Sequence, residues 1–436
     1  MYLPESVLFC VNSLENAGFP TYAVGGCVRD ALLGLTPHDY DLCTAATPAQ
    51  TAALFATLPL VLAGEKHGTV GVVTDGGVIE ITTFRTEGTY ADSRHPDFVE
   101  FVDNVEQDLA RRDFTVNAMA FSPTRGFCDP FGGQNDLKNH ILRAVGHPET
   151  RFSEDALRIL RGVRFAARFS LTPDSATEQA MLSLASRLHS IAAERIFDEL
   201  CKLLPRITAT DLVRYAPILA EVIPELAPCI GFDQRNRHHT YDIFTHTAHV
   251  VEAVAADPAL RWAALLHDVG KPATFTLDSQ GQGHFYGHAD KSAEMADEIL
   301  RRLKAPNALR EQVVTLVKLH MTQIEPETKP VRRWLSRLGA ENFRLLLQLQ
   351  EADMGSKGTG KPAQMSQFDQ IRQVLSQIEA ENACLTLKDL AVNGRDLMAL
   401  GYTGPAIGQA LQYLLDQVLD EQSPNEKDAL LGLLIR

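Results

Sequence analysis

The stretch from Tyr22 to Thr47 constrains the fold more than any other in the chain. Tyr22-Ala23-Val24-Gly25-Gly26-Cys27-Val28-Arg29 and the residues up to Gly34 read as a buried strand, a Gly-Gly turn and a short helix closed by glycine. Such a turn lets backbone N–H groups approach phosphate oxygens, because glycine has no side chain to obstruct them and a helix start favours negative charge. Gly25 and Gly26 therefore form a candidate triphosphate cradle. After a polar turn comes His38-Asp39-Tyr40-Asp41-Leu42-Cys43-Thr44. On a strand, Asp39 and Asp41 project from one face, roughly 6–7 Å apart, and such a pair can hold Mg²⁺. Taken singly, each half has a bland alternative in a common turn or a solvated acid pair. Their order, strand, turn, helix and strand, with the turn and the acid pair ~13 residues apart, makes them support each other.

Composition bounds what surrounds this stretch. A chain of 436 residues is expected to hold about two to four domains, and 45 % hydrophobic content suffices for several cores. There is no apolar run of about 18 residues, and the start Met1-Tyr2-Leu3-Pro4-Glu5-Ser6 lacks the basic opening of a signal peptide. No membrane segment and a cytoplasmic location are the expectation. Seven cysteines without a Cys-x-x-Cys pair argue against a zinc ribbon and a disulfide framework. The net charge of −14 counts against a polyanionic partner, since nucleic acid is bound by basic surfaces. Segregation softens that objection: arginines gather between Arg151 and Arg168 and again between Lys329 and Arg344.

Along the chain, residues 5–17 and 48–58 have helical spacing, the second opened by Thr47, and residues 69–74 and 78–84 read as a hairpin around Asp75-Gly76-Gly77. Glu80 lies inside the apolar run Val78-Ile79-Glu80-Ile81, where a carboxylate is costly unless it meets a cation. It is a third acid for Mg²⁺, or else an edge-strand residue facing water. Residues 86–96 are polar and end at Pro96, a surface-loop pattern. Arg111-Arg112-Asp113 closes a helical run and leads into Phe114-Thr115-Val116-Asn117-Ala118. Further on, Ser153 reads as the cap of a helix with Glu154 and Asp155 in its first turn. Asp155 and Arg158 stand three apart, and Arg161, Arg164 and Arg168 continue a basic stripe. An ordinary ion pair is one reading of Asp155 and Arg158. The other is a base reader, because an acceptor beside a donor can match the Watson–Crick edges of C and A.

Gly-Gly-x-Val-Arg-Asp, Asp-x-Asp, Leu-x-Arg-Arg-Asp-Phe-Thr-x-Asn-Ala and Glu-Asp-x-x-Arg, in this order, resemble the motifs of the class II nucleotidyltransferases. That family comprises the CCA-adding enzymes of transfer RNA and the bacterial poly(A) polymerases. The resemblance covers roughly the first 170 residues. It implies Mg²⁺ on Asp39 and Asp41 with Glu80 assisting, the triphosphate on Gly25, Gly26 and Arg29, and nucleotide contacts from Arg112, Arg161 and Arg164. Asp113 and Asn117 shape the sugar site, and Asp155 with Arg158 chooses the base. Residues 86–96 resemble the loop that full CCA-adding enzymes retain.

A second constellation starts near His238: His246, His267-Asp268, His284, His288, His320 and Asp353. Their order across successive helical runs resembles an HD-type metal phosphohydrolase. The implied ligands are His246, His267, Asp268 and Asp353, with His288 and His320 completing a second site and His284 the weaker alternative to His288. Imidazole with carboxylate suits a transition metal, and an inactive remnant of such a module is the alternative. Arg332, Arg333, Trp334, Arg337 and Arg344, with Lys357 and Lys361 beyond, are either a solvated face or a contact for RNA phosphates.

The expected architecture is α+β: a small mixed-sheet nucleotidyltransferase head (1–145), an all-α neck (146–230), an HD-type body (231–355) and a helical RNA-binding tail (356–436). The expected activity is template-independent addition of CCA to tRNA from CTP and ATP, with poly(A), CC-only or A-only addition as alternatives. A phosphohydrolase with a nucleotide-sensing head is the rival from another class.

Overall fold

Ile79, Ile81 and Thr83 are buried while Val78 before them and Glu80 between them stay open, an alternation that makes Gly77–Thr83 a strand with one face on a core. The computed structural model describes residues 1–87, 99–236, 240–357 and 362–435. The strands are β1 (Thr21–Val24), β2 (Asp41–Thr44), β3 (Leu60–Val61), β4 (Thr69–Thr74), β5 (Gly77–Thr83), β6 (Ala120–Ser122) and β7 (Gly126–Cys128). They form one seven-stranded sheet in the order β3-β4-β5-β2-β1-β6-β7. Only the β2–β5 pairing in it is parallel, so the sheet is mixed, as expected. The hairpin expected at Asp75 and Gly76 is present, with Thr74 opposite Gly77. Because β5 runs between β4 and β2, Glu80 is on a central strand and not at an edge.

Thr47 caps the helix Pro48–Leu54 in a capping box with Gln50, and Glu5–Asn16 covers the sheet with Val7, Val11 and Leu14 buried. Downstream of the sheet the first unit is helical, with Pro148–Glu154, Leu157–Phe169 and Ala193–Leu203 nearest the site. Phe114, fully buried, ties these helices to the sheet through Phe165, edge-on at 5.8 Å, and Phe152 at 6.3 Å.

The chain divides into two compact units, Met1–Ala227 and Pro228–Arg436. The second is built on the helices Ile243–Ala253, Pro258–Leu266, His288–Arg302, Asn307–Leu319 and Thr328–Gly355, the last interrupted at Gly339. Its C-terminal helices enclose a small core of their own around Leu397, Leu414 and Leu430. Among the described residues no helix is long and apolar enough to cross a membrane.

Candidate active site and candidate metal centre

Asp41 opens β2 and lies in register with Glu80 of β5. Register partners on neighbouring strands share a face at about 4.8 Å, so the two carboxylates belong to one open patch. Asp39 precedes the strand and is exposed; the expectation that Asp39 and Asp41 share a strand is corrected, because the sheet pairing begins at Asp41. The three carboxylates do not close to within 4.8 Å as a trio. Their mutual field is still felt. Desolvation, Glu80 and then Asp39 push the Asp41 carboxyl up, with Arg112 opposing. Negative charge that raises its own proton affinity is what a divalent cation relieves, and oxygen ligands suit magnesium.

The Gly25–Gly26 turn sits beside these acids. Gly25 adopts φ 78°, and a Cβ there would meet Arg112 Nη1 at 2.9 Å; the guanidinium thus lies directly against the turn. Arg29 donates through Nε and Nη2 to Asp30 at 2.8 and 2.6 Å, donates through Nη1 to Asn117, and stacks 4.2 Å over Phe169. Asn117 in turn donates to Asp113 at 3.0 Å, and Arg161 grips the other Asp113 oxygen at 2.8 and 2.6 Å. Arg29, Asn117, Asp113 and Arg161 form one hydrogen-bonded chain from the turn to the Leu157–Phe169 helix.

Burial pushes the Asp113 carboxyl up, but Arg161 and the Asn117 amide outweigh it and hold it at about 2, against an ordinary 3.8. A carboxylate depressed on folding stabilises the fold above its unfolded pKa, and that stability is lost as pH falls from 3.8 towards 2. Asp113→Asn is expected to cost about 2 kcal/mol at pH 7. Urea melts at pH 7 and pH 3 check this; the gap to the parent should narrow in acid.

The basic stripe differs from its expected pairing. The chain breaks at Asp155, which leaves the helix Pro148–Glu154 in an extended conformation, and a new helix starts at Leu157. Ser153 is therefore in the last turn of one helix and not the cap of the next. Asp155 Oδ1 accepts the Leu157 N–H at 3.0 Å, and Oδ2 binds Arg195 at 2.7 Å. Arg158 pairs with Glu154 at 2.6 Å and not with Asp155, and also donates to the carbonyls of Arg151 and Arg111. Three apart on a continuous helix, Asp155 and Arg158 would neutralise each other; the break prevents it.

Gly25, Gly26, Asn117 and most of the charged groups line one cavity of about 440 Å³, while Asp39 and Glu80 are not among its lining residues. Arg29, Arg111, Arg112, Arg158, Arg161, Arg164, Arg168 and Arg195 face Asp41, Asp113 and Asp155 there. Several balancing carboxylates stand behind it: Asp108 under Arg111 and Arg112, Glu154 under Arg158, and Glu199 on Arg164 at 2.6 Å. An acidic protein thus presents a basic pocket, the form an anionic ligand requires.

In the second unit, His246, His267, Asp268, His288, His320 and Asp353 converge, all buried. His246, His267 and Asp268 form one triad within 4.8 Å, and Asp268, His288 and His320 another. Nδ1 of His267, His288 and His320 each meets a carbonyl three residues back, at 2.8, 2.8 and 2.6 Å. A carbonyl only accepts, so Nδ1 carries the proton and Nε2 presents a lone pair. Those three Nε2 atoms are buried without a hydrogen-bond partner, and they gather around Asp268, whose Oδ2 lies 3.2 Å from His267 Nε2 and is held by the Lys271 ammonium. Burial, then His267, pushes the His320 imidazole down to about 3, which keeps it in its neutral ligand form. His246 bonds Asp353 at 2.9 Å, Lys271 lies 2.7 Å from Asp268, and Lys357 lies 2.9 Å from Asp353. The donor set fits two metal ions sharing Asp268. His284 stands apart, paired with Asp278 at 3.0 Å, so His288 is the member that joins the cluster.

Family models match three segments: the poly A polymerase head domain over residues 21–143, the probable RNA and SrmB-binding site of polymerase A over 170–229, and a putative tRNA nucleotidyltransferase domain 2 over 284–434. The CCA-adding enzyme of Lactiplantibacillus plantarum is 34% identical over 97% of this chain and 93% of its own length. This chain belongs to the CCA-adding enzyme family. The CCA-adding enzyme of Latilactobacillus sakei is likewise 34% identical, over 99% of this chain and 98% of its own. Among solved structures, the Bacillus stearothermophilus CCA-adding enzyme in complex with CTP superposes with TM-score 0.77 at 29% identity, covering 100% of this chain and 98% of that one. The Thermotoga maritima CCA-adding enzyme complexed with tRNA shares the fold at TM-score 0.62 and 21% identity, over 99% and 96%.

In this CCA-adding family member the basic run from Lys329 to Arg344 is largely paired with acids. Arg332 pairs with Glu381 and Glu421, Arg333 and Lys329 with Asp420, and Arg344 with Glu379. These ion pairs lie on the run that the sequence leaves as either a solvated face or a contact for RNA phosphates; Arg337 is stacked 5.3 Å over Trp334. Residues 88–96 of the expected loop, together with His238 and Lys361, lie outside the described residues. Sequence reasoning missed Arg195, Glu199 and Asp108. Arg195 and Glu199 are spaced i,i+4 on one helix and Asp108 lies three and four residues before Arg111 and Arg112, spacings that put charges on one face.

Proposed function

We propose that this chain adds cytidine, cytidine and adenosine in turn to the 3′ end of tRNA, from CTP and ATP and without a nucleic-acid template. The observation that carries the reading is the single cavity uniting Asp41, the Gly25–Gly26 turn and Asp155 with Arg158. Asp39, Asp41 and Glu80 would hold magnesium, which supplies a Lewis acid for the attacking 3′-hydroxyl and countercharge for the triphosphate. Gly25, Gly26, Arg29 and Arg112 hold the triphosphate, and Arg161 and Arg164 hold the rest of the nucleotide. C and A both carry an exocyclic amino group, where U and G carry a carbonyl. Asp155, an acceptor, favours the amino bases, and Arg158 donates to the adjacent ring nitrogen. The four-part division at 145, 230 and 355 belongs to the same reading.

The test is extension of tRNA ending at its discriminator base, with CTP and ATP singly and together, sized on a sequencing gel. Growth by three nucleotides only with both is expected. ATP-only ladders would mean poly(A) addition, a stop after two would mean CC addition, and no growth would overturn the reading.

A second activity is supported by the unpartnered Nε2 atoms of His267, His288 and His320. Transition metals held by the two triads would supply a hydrolytic centre for phosphoesters. A cavity of about 320 Å³ lined by His320, Asp353 and Lys357 adjoins this cluster.

A further inference from the structure

Arg195 belongs to none of the motifs that led to the site, yet it lines the cavity and binds the one carboxylate placed to read a base. Three observations separate it from a routine surface ion pair. First, Asp155 is gripped from both sides, Oδ1 by the Leu157 N–H and Oδ2 by Arg195. A carboxylate oxygen has two lone-pair sites, so each keeps one for a further donor. Second, Arg195 Nη1 is buried with no hydrogen-bond partner, whereas a purely structural pair in a closed site satisfies its donors. Third, the same helix carries Glu199, which holds Arg164 at 2.6 Å, so Ala193–Leu203 backs both an acidic and a basic wall of the cavity.

We infer that Arg195 is a positioning residue for base choice: it holds Asp155 away from Arg158, so that acceptor and donor both remain available to the nucleotide. Arg158 is held by Glu154 instead. Without Arg195, the Asp155 carboxylate gains a free oxygen beside Arg158, three residues on, and the two readers consume each other. The inference rests on the proposed reading of Asp155, and the experiment separates the two.

In the full-length protein, single-nucleotide incorporation of CTP and of UTP into tRNA ending at its discriminator base gives the ratio of kcat/KM values. Uracil offers an acceptor where cytosine offers an amino donor. Arg195→Ala is expected to lower the CTP-over-UTP ratio by about tenfold or more, the scale of one charge-assisted hydrogen bond. The loss falls on CTP. Arg195→Lys restores most of it, and adding Arg195→Ala to Asp155→Ala lowers the ratio no further. Equal losses for both nucleotides would make Arg195 merely structural and overturn the inference. An unchanged ratio in Asp155→Ala would overturn the reading of Asp155 and the inference with it. Should Arg195→Ala not fold, Arg195→Gln, which keeps the stem and loses the charge, replaces it in the same comparison.

Discussion

Asp41→Ala is expected to slow incorporation of the first cytidine by about a thousandfold or more, with CTP still bound. Asp41 is the acid that the sheet itself places, at the head of β2 and in register with Glu80. On the proposed reading its removal would take away an oxygen ligand of the magnesium site, an interaction of several kcal/mol with the transition state. The same substitution should not harm the fold. A carboxyl whose pKa is raised on folding, as Asp41's is by desolvation, Glu80 and Asp39, opposes folding as pH rises through its unfolded value. At pH 7 the Ala variant is therefore as stable as the parent or more so. Single-turnover rates over a magnesium titration, with melting temperatures alongside, check both halves. A rate within tenfold of the parent, or a large fall in melting temperature, would show that Asp41 serves the sheet and not the chemistry.

The contrast between Asp41 and Asp155 shows what a sequence can reveal here. β5 alternates buried and open residues, so a carboxylate at Glu80 was visible as an anomaly in an apolar strand, and sheet pairing then put it beside Asp41. The six histidines and aspartates of the second unit were legible for a similar reason: each stands near a helix end or on a helix face, so order along the chain carried over into proximity. Asp155 was misread because nothing local announces the break. Neither glycine nor proline interrupts residues 148–169 after Pro148 until Gly162, and Ser153-Glu154-Asp155 imitates a helix start. The partners that decide the outcome, Arg195 for Asp155 and Glu199 for Arg164, lie 40 and 35 residues away. Spacing on one helix cannot reach them. The ion pairs of Arg332, Arg333 and Arg344 are beyond the reach of spacing in the same way, because Glu381, Asp420 and Glu379 lie 49, 87 and 35 residues away.

Two transition-metal ions per chain are the expected stoichiometry of the second unit, and His320→Gln is expected to reduce it to one. The triads share Asp268 but no histidine, so a change in either set of rings empties one position and leaves the other three-coordinated by protein. His267→Gln should likewise leave one ion, on the opposite triad. Metal content after dialysis against Mn²⁺ measures this directly. Saturation at a hundred times Kd stabilises the loaded unit by about 2.7 kcal/mol per ion, so the melting temperature rises with metal in the parent and by less in either variant. Changing Asp268 is a poorer probe, because Lys271, buried and 2.7 Å away, would be left as an unpaired charge at a cost of about 3–5 kcal/mol. Incorporation of CTP and ATP should stay within twofold in His320→Gln, since the cavity that carries it is lined wholly by residues of the first unit. Loss of both ions on changing one ring would mean a single site in which all the histidines cooperate, and no bound metal in the parent would mean that the buried lone pairs are the remnant of a lost centre.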